Sequence, residues 1–357
     1  MNEETTTGSN TTMTTTKGKT NRILLLLTVL LLVVGASGAP LVSRLYFIHG
    51  GQRKWLTAWI QTAAFPILLI PLFLSKISST KTSQSQRRQS HLTFPLALQS
   101  ASIGLLIGID DYMYAFGLSY LPISTSTLLV STQLGFTAFF AFLIVGQRFT
   151  AHTINAVVLL SLGSVLLGIR ASSDRPEGVT GAQYGLGFVL TLGAAALIGL
   201  VFPLIELVYV KSKQIVTFGL VMEMLLVMSV VATGFCTIGM VINKDFQVIS
   251  RESKEFGLGE FKYHLTVVAS GILWQVFLIG SFSFILYTSS LLNGILLAVQ
   301  LPLTSILAVI FFHEKFSAEK GMALVLCLWG FASYYYGEHI QSKKREEVVR
   351  DIEINHL

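Results

Sequence analysis

Long apolar runs dominate this sequence and limit its fold more than any other feature. A helix needs about 20 apolar residues to cross a hydrocarbon layer that is about 30 Å thick. The sequence contains ten windows of about this length, each bounded by charge or by Pro and Gly: 23–43, 55–75, 94–119, 122–146, 150–170, 183–209, 215–241, 264–287, 290–312 and 317–337. Only 12% of the 357 residues are charged, about half the share of an ordinary soluble domain. We therefore predict an all-α integral membrane protein with ten transmembrane helices and no separate soluble domain.

The two ends of the chain differ from the apolar part between them. Residues 1–21 are rich in Thr and contain no aliphatic residue except Met, so we predict a disordered tail. Residues 339–357 form a second, charged tail. The apolar run after Arg22 also has features of a signal peptide, but it continues to Tyr46, which favours a retained helix. On the side of the two tails lie 14 of the 25 Lys and Arg residues, which predicts cytosolic tails.

The two halves of the sequence resemble each other. The stretch Tyr120–Gln133, YLPISTSTLLVSTQ, is matched 167 residues later by a stretch that ends LLNGILLAVQ at Gln300. We predict two five-helix repeats, at 22–171 and 182–338, which have opposite orientations because five is odd. Inverted repeats place a substrate site near the bilayer midplane and permit alternating access, so they favour a transporter. A duplicated structural membrane protein is the alternative.

Amide side chains occupy matching places in the two repeats. Ser126 and Gln133 are seven residues apart and share one helix face, and Asn293 and Gln300 repeat this spacing 167 residues later. An unsatisfied amide in an apolar medium costs several kcal/mol, so these side chains are expected to face a polar cavity or a partner helix. Amides both donate and accept hydrogen bonds, which suits the edge of a neutral heterocycle.

Four carboxylates lie within or at the ends of the predicted spans: Asp110, Asp111, Glu206 and Glu223. An ionised carboxylate at the bilayer centre costs about 2.5–3.5 kcal/mol on insertion scales, so such residues are candidate proton carriers. Glu206 follows Pro203 by one turn, and a proline frees a backbone carbonyl that can join a site. The alternatives are snorkelling for Glu223 and a helix-end position for the aspartate pair.

Aromatic side chains are candidates for packing against a flat ligand. Trp55 and Trp59 share a face of the second span, and Trp274 lies in the eighth. Tryptophan is also common at membrane interfaces, and we assign Trp55 to that belt. Trp59 precedes Gln61 by two residues and is the stronger candidate for the cavity.

The sequence contains no catalytic or cofactor signature. It has no HExxH, GxSxG or P-loop motif, and no span carries two His residues at metal-binding spacing. We predict no enzyme activity, no cofactor and no metal. The net charge of +6 is spread over loops and tails without interleaved aromatics, so we predict the lipid bilayer, and not nucleic acid, as the macromolecular environment.

Two other functions are alternatives to a heterocycle carrier. A nucleotide-sugar or sugar-phosphate exchanger needs Lys or Arg in its cavity to bind phosphate, but the nearest such residues are at span ends: Arg44, Arg148 and Arg170. A receptor that does not transport is disfavoured by ten spans in inverted repeats. Both remain alternatives.

Four stretches resemble the plant purine permease family of the drug/metabolite transporter superfamily. They are RLYFIHGGQRKWLTAWIQTAAFP from Arg44, DDYMYAFGLSYLPISTSTLLVSTQLGFTAFFA from Asp110, WQVFLIG from Trp274 and AVIFFHEKFSAEKGMALVLCLWGFASYYYGE from Ala308. The resemblance extends from Ile23 to Glu338. It implies a ten-helix inverted-repeat carrier, coupled to protons and favouring the plasma membrane. The implied substrates are adenine and related purines, cytokinins, and some alkaloids or vitamins.

The resemblance also marks particular residues. Trp59 and Gln61 fall in one family motif, Asp111 and Tyr114 in a second, and Gln133 in the family's TQL. This chain departs from the family at Asp111, where Asn is usual, and at Gln300, where a small residue is common.

Taken together, the residues and the resemblance give a hypothesis for the site. Ring-edge hydrogen bonds would come from Gln133, Asn293 and Gln300. Gln61 and Tyr114 would help to orient the ligand, Trp59 would pack on its face, and Glu206 or Asp111 would carry the proton.

Overall fold

The structure is a computed structural model, and its described residues are helical wherever they form regular secondary structure. The described residues are 8–73, 92–146, 151–152, 154–159, 162, 175–212, 214–313, 318, 321–322, 324–326, 328–337 and 340. Outside them lie residues 74–91 between the second and third predicted spans, most of the fifth predicted span and nearly all of the C-terminal tail.

Ten α-helices and one 3₁₀ turn, Phe65–Leu68, make up the elements of the described part of the chain. The helices are α1 Gly8–Ile48, α2 Lys54–Ala63, α3 Phe94–Tyr120, α4 Ile123–Val130, α5 Gln133–Val145, α6 Gly181–Lys211, α7 Phe218–Ile242, α8 Asp245–Glu255, α9 Glu260–Tyr287 and α10 Ser290–Phe312. Further helical residues occur within 151–159 and 321–337. Helix α1 begins inside the Thr-rich segment for which composition predicts disorder.

Six helical segments of the described residues are long and apolar enough to cross a membrane. They are Arg22–Ile48, Lys54–Phe73, Phe94–Tyr120, Gly181–Lys211, Phe218–Ile242 and Glu260–Tyr287. Many of their large apolar side chains are exposed on the outside of the bundle, as expected for a protein whose solvent is lipid. The chain is therefore an all-helical integral membrane protein, which confirms this part of the predicted fold class.

Local sequence explains several helix ends. The side chains of Thr180 and Thr217 accept hydrogen bonds from the amides of Gln183 (3.2 Å) and Leu220 (3.3 Å), which caps the starts of α6 and α7. Helix α5 ends where Gly146 adopts a left-handed φ of 73°, a conformation that glycine reaches without steric cost.

The fourth predicted span is interrupted in the structure. The length of the apolar run predicts one helix over 122–146, but α4 ends at Val130 and α5 starts at Gln133. The Thr132 hydroxyl donates to the carbonyl of Leu129 at 2.7 Å, and such local side-chain bonds compete with helical hydrogen bonding. The interruption puts Gln133 at the first turn of a new helix.

Helix α8 lies in a segment whose charges predict only a loop. Its Ile249 packs with Phe256 and Tyr263 at one end of the bundle. Arg53, just before α2, pairs with two carboxylates at the start and in the last turns of α8, Asp245 and Glu252, each at 3.5 Å. Together these contacts fasten α8 to the connection between α1 and α2.

Close helix crossings hold the bundle together. Helix α1 packs along α9, while α3 packs against both α6 and α7. A Cβ at Gly280 would lie 2.8 Å from the Cα of Leu32, and a Cβ at Gly104 would lie 2.8 Å from the Cα of Met228. Since association in lipid depends on packing, small residues at such crossings let the backbones approach.

Candidate functional site

A cavity of about 110 Å³ lies inside the bundle and is lined by residues of eight helices, α1 to α6, α9 and α10. About 10–15 Å³ is enough for one water molecule, so this space accommodates several waters or a small flat ligand. Its polar lining includes Gln61, Tyr114, Gln133 and Gln300, four of the residues that the sequence proposes for the site.

The two glutamines of the repeated motif both line this cavity. Gln133 is 6% exposed and Gln300 is 5% exposed, and neither side-chain nitrogen has a hydrogen-bond partner. The side-chain oxygen of Gln300 accepts from the Ser37 hydroxyl at 3.3 Å. Two buried amide donors therefore remain available at the cavity wall.

Two adjacent carboxylates, Asp110 and Asp111, line the same cavity from α3. They are 9% and 5% exposed, and one oxygen of each, Oδ1 of Asp110 and Oδ2 of Asp111, is buried without a hydrogen-bond partner. The Gln61 amide donates to the backbone carbonyl of Asp111 at 3.0 Å. Gln61 thus helps to hold this part of α3 in place.

Aromatic side chains form another part of the wall. The ring centroid of Trp274 lies 5.7 Å from those of Tyr114 and Phe277, with interplanar angles of 81° and 82°. The Trp274 indole N–H donates to the Ser43 hydroxyl at 3.0 Å, and Ser43 is hydrogen-bonded to Ser270 at 2.9 Å. These bonds fix the orientation of the indole at the cavity.

Trp59 and Asn293, two of the residues proposed from the sequence, are not in the lining. The Trp59 indole N–H donates to the Thr237 hydroxyl at 3.0 Å, so it packs against α7. Asn293 is fully buried and is bonded twice to Ser281, at 2.8 and 3.1 Å. In this structure Asn293 connects α10 to α9.

Glu206 also lies outside the lining, together with Glu223. One oxygen of Glu206 accepts from the backbone N–H of Ser290 at 2.8 Å and from the Ser290 hydroxyl, at the first turn of α10. Glu223 accepts from the backbone N–H of Leu92 at 3.2 Å, just before α3. Glu206 therefore caps the first turn of α10, whereas Glu223 holds the segment just before α3.

Comparison with known proteins identifies the family. The family profile described as purine nucleobase transmembrane transport (PUNUT) matches residues 23–344. The chain belongs to the plant purine permease family. It is 44% identical to purine permease 3 of Arabidopsis thaliana over 307 residues, which cover 85% of this chain and 88% of the relative. It is 41% identical to purine permease 2 of the same plant over 337 residues, covering 91% and 94%.

These matches confirm the resemblance found in the motifs, and they place this purine permease among purine nucleobase transporters and not among enzymes. The chain is also similar to a solved structure titled only as the crystal structure of a protein. That likeness has a TM-score of 0.56 at 16% identity and covers 87% of this chain and 98% of the other. At this identity it supports the fold alone.

The site hypothesis from the sequence leaves out Trp274, the largest aromatic side chain in the cavity lining of this permease. Trp274 is among the aromatic candidates of the sequence, but only Trp59 is favoured there; the structure places Trp274 near the middle of α9 and in the cavity lining. The 167-residue spacing between the two halves offers a way to find this position from the sequence. Trp274 lies 167 residues after Ile107, and Ile107 also lines the cavity.

Proposed function

We propose that this chain takes up adenine-like purines, cytokinins and related nitrogen heterocycles, coupled to protons, by alternating access. Membership of the purine permease family supports the substrate class. The cavity supports it independently, because its wall combines amide side chains with an aromatic surface. Adenine has ring nitrogens that accept hydrogen bonds, N–H groups that donate them, and two flat faces.

The observation that carries the proposal is the pair of unpartnered amide nitrogens on Gln133 and Gln300. A buried donor without a partner costs about 1–3 kcal/mol, and most buried polar groups have a partner. A purine whose ring nitrogens accept from these two amides removes that cost. We propose that the Tyr114 hydroxyl and the Gln61 amide orient the ring, and that Trp274 packs on its face.

Inverted repeats are part of the proposal, and the cavity supports them. Five pairs of lining residues are each separated by 167 positions: Ile107 and Trp274, Asp110 and Phe277, Asp111 and Leu278, Val130 and Leu297, Gln133 and Gln300. Two unrelated halves would not be expected to contribute to one wall with a constant spacing. A two-fold axis through the cavity, relating 22–171 to 182–338, accounts for it.

The packing of the helices supports the same relation. Under the proposed repeat, α1, α2, α3 and α5 correspond to α6, α7, α9 and α10. The contact between α1 and α9 then corresponds to the contact between α6 and α3. In the same way, the contact between α2 and α9 corresponds to the contact between α7 and α3. Helices α2 and α7, and α5 and α10, are corresponding partners that touch each other. Both features are expected of two units related by a pseudo-dyad.

For the proton, the sequence leaves two candidates, Asp111 and Glu206. Asp111 lines the cavity, whereas Glu206 is held by the first turn of α10. The cavity therefore favours Asp111. For location, we propose the plasma membrane with cytosolic tails, on the grounds of the family resemblance and of the excess of Lys and Arg on the tail side.

Transport in proteoliposomes tests the proposed function. Purified protein is reconstituted, and uptake of labelled adenine is measured with an inward proton gradient and again after addition of a protonophore. We expect accumulation that collapses with the protonophore and that unlabelled cytokinin inhibits, while a nucleotide sugar does not. No uptake of any purine or cytokinin would refute the substrate class, and uptake insensitive to the gradient would refute coupling.

Site-directed labelling tests the inverted arrangement. In a background with both native cysteines replaced by Ser, single Cys residues are introduced for Gln52 after α1, Glu177 before α6 and Lys211 at the end of α6. We expect a membrane-impermeant thiol reagent to label the first two from outside the cell and the third only after permeabilisation. Labelling of Gln52→Cys and Glu177→Cys from opposite sides would contradict inverted repeats.

A further inference from the structure

The carboxylate pair of α3 has a role that the amide site leaves unexplained. Asp110 and Asp111 line the cavity, both are more than nine-tenths buried, and each has one oxygen without a hydrogen-bond partner. The positions 167 residues later hold Phe277 and Leu278, which line the cavity as well. The acidic pair therefore belongs to one half of the site only.

No positive charge among the described residues neutralises this pair. Neither aspartate forms an ion pair there, and the lining contains no Lys, Arg or His. Two basic side chains on the neighbouring helices α1 and α2 have other partners. Arg44 of α1 donates to the carbonyl of Leu118 at 2.6 Å, and Lys54 of α2 donates to the Tyr120 hydroxyl at 3.0 Å.

The groups that face the pair from the surrounding helices are neutral. They are Gln61 on α2, Tyr114 on α3, Gln133 on α5, Cys236 on α7, Trp274 on α9 and Gln300 on α10. The Cys236 thiol donates to the carbonyl of Gly108, one turn before Asp111, at 3.7 Å. Two adjacent carboxylates in such surroundings cannot both ionise without a large cost, because like charges and burial both oppose it.

The other two carboxylates of the spans are differently placed. Glu206 and Glu223 accept hydrogen bonds from backbone N–H groups at helix starts, at 2.8 and 3.2 Å. Each is therefore engaged near a helix start and outside the cavity lining, whereas Asp110 and Asp111 line the cavity and each keep one oxygen without a hydrogen-bond partner.

We propose that Asp110 and Asp111 together form the proton site of this permease. The inference rests on the proposed function, since it assigns the coupled proton of that same transport cycle. In the outward-facing state a proton from the external water binds one oxygen of the pair, which leaves a single negative charge. The purine binds to the amides beside it, the cavity changes its exposure, and the same proton is released to the cytosol, so one proton accompanies each purine.

The test measures binding, exchange and coupling separately in proteoliposomes. The proteins are the wild type, Asp110→Asn, Asp111→Asn, the double variant and Glu206→Gln, with Glu223→Gln as a matched carboxylate control. Each protein is assayed for adenine-dependent thermal stabilisation, adenine exchange without a gradient, accumulation driven by a pH gradient, and acidification of the lumen reported by a pH-sensitive dye.

For one proton per purine, a gradient of one pH unit supports about tenfold accumulation in the wild type. We expect the double variant and at least one single variant to lose this accumulation and the lumenal acidification while they still bind and exchange adenine. Glu206→Gln and Glu223→Gln should keep both. Coupling that survives in the double variant would overturn the inference, and so would loss of adenine binding and exchange in folded Asp variants, because the pair would then be a purine contact.

A measurement on the wild type covers the case in which the Asn variants fail to fold. Dicyclohexylcarbodiimide reacts with protonated carboxyl groups in apolar surroundings, and mass spectrometry locates the adduct. We expect modification of Asp110 or Asp111 that decreases as the pH rises. Modification of Glu206 instead would overturn the inference.

The outcomes separate this inference from the proposed function. A wild type that carries no purine refutes the proposed function, and a wild type that carries purine without proton movement refutes coupling. A wild type that is proton-coupled, with a double Asp variant that is equally coupled, refutes the proton site alone.

Discussion

The cavity has two walls whose residues lie 167 positions apart but whose chemistry differs. The wall from the first half carries Ile107, Asp110 and Asp111, and the wall from the second half carries Trp274, Phe277 and Leu278 in their place. Only the glutamine at position 133 recurs, as Gln300. Under the proposed two-fold relation, the comparison teaches that a symmetric frame can hold an asymmetric site, with the two carboxylates on one side and the indole on the other.

This division suits the proposed substrate and its proton. A purine needs an apolar surface for its face and polar groups for its edge, whereas a proton needs a carboxylate that is not already neutralised. Separating these needs between two walls lets each evolve without loss of the other. In the proposed complex, the matched glutamines bind the ligand from both halves.

The largest expected effect concerns two helix crossings that correspond under the proposed repeat. In Gly280→Ala the new Cβ would lie 2.8 Å from the Cα of Leu32, so the backbones of α1 and α9 must separate. In Gly193→Ala the new Cβ would contact only the terminal methyl of Met113, whose side chain is flexible. Met113 is the position that corresponds to Gly280, because it lies 167 residues earlier. We expect Gly280→Ala to cost about 1–3 kcal/mol and Gly193→Ala to be nearly neutral. Thermal unfolding in detergent measures both, and a larger loss for Gly193→Ala would contradict the packing.

The next effect compares the aromatic wall with its counterpart. Stacking of a base on an aromatic side chain is worth about 1–3 kcal/mol by alanine substitution, so Trp274→Ala should raise the KM for adenine by about 5-fold to 150-fold. Trp274→Phe should recover most of this loss. Ile107→Ala is the control from the other half, and it should change KM by less than Trp274→Ala. Equal effects at the two positions would show that the walls are not specialised.

The matched amides should behave alike. We expect Gln133→Leu and Gln300→Leu each to raise the KM for adenine about tenfold, because each removes one hydrogen bond to the ring. Ser37→Ala, which frees the Gln300 side chain, should have a smaller effect in the same direction. Gln275→Leu is the control: Gln275 is fully buried, both of its polar side-chain atoms lack a partner, and it is not in the lining. Its KM should not change.

The smallest effect concerns the two carboxylates near helix starts. Glu206→Gln and Glu223→Gln keep an acceptor oxygen but remove the charge at a helix start, which is typically worth about 0.3–1 kcal/mol. We expect Glu206→Gln to lose more thermal stability than Glu223→Gln, because Glu206 accepts two hydrogen bonds from Ser290 and Glu223 accepts one from Leu92. The reverse order would argue that burial, and not hydrogen bonding, decides the cost.

Sequence reasoning located much of this molecule but not all of it. The boundaries of α3, α6, α7, α9 and α10 agree with the predicted spans to within a few residues, because apolar length is a strong signal in lipid. The short helix α8 is not among the predicted spans, because its segment is rich in charged residues. Its apolar contact, between Ile249 and the side chains of Phe256 and Tyr263, is visible only in the structure.

The candidate site was predicted in part, and particular residues explain why. Gln133 and Gln300 were found because a repeated amide in an apolar run has few harmless explanations. Glu206 was proposed for the proton because its sequence position is apolar, and its bonding to Ser290 depends on a helix that is 84 residues away in the chain. Trp274 is not favoured by the sequence because tryptophan is also common at membrane interfaces, and only the packing of the helices brings its ring to the cavity.

The sequence by itself determined that this chain lies in a membrane, that it belongs to the purine permeases, and that two glutamines recur at a fixed spacing. These features are local, since apolar length, motif and repeat are all present before folding. Tertiary structure alone decided which polar groups share a cavity and which have partners elsewhere. That outcome depends on how helices far apart in the chain cross, and the free oxygens of Asp110 and Asp111 are visible only once those crossings are known.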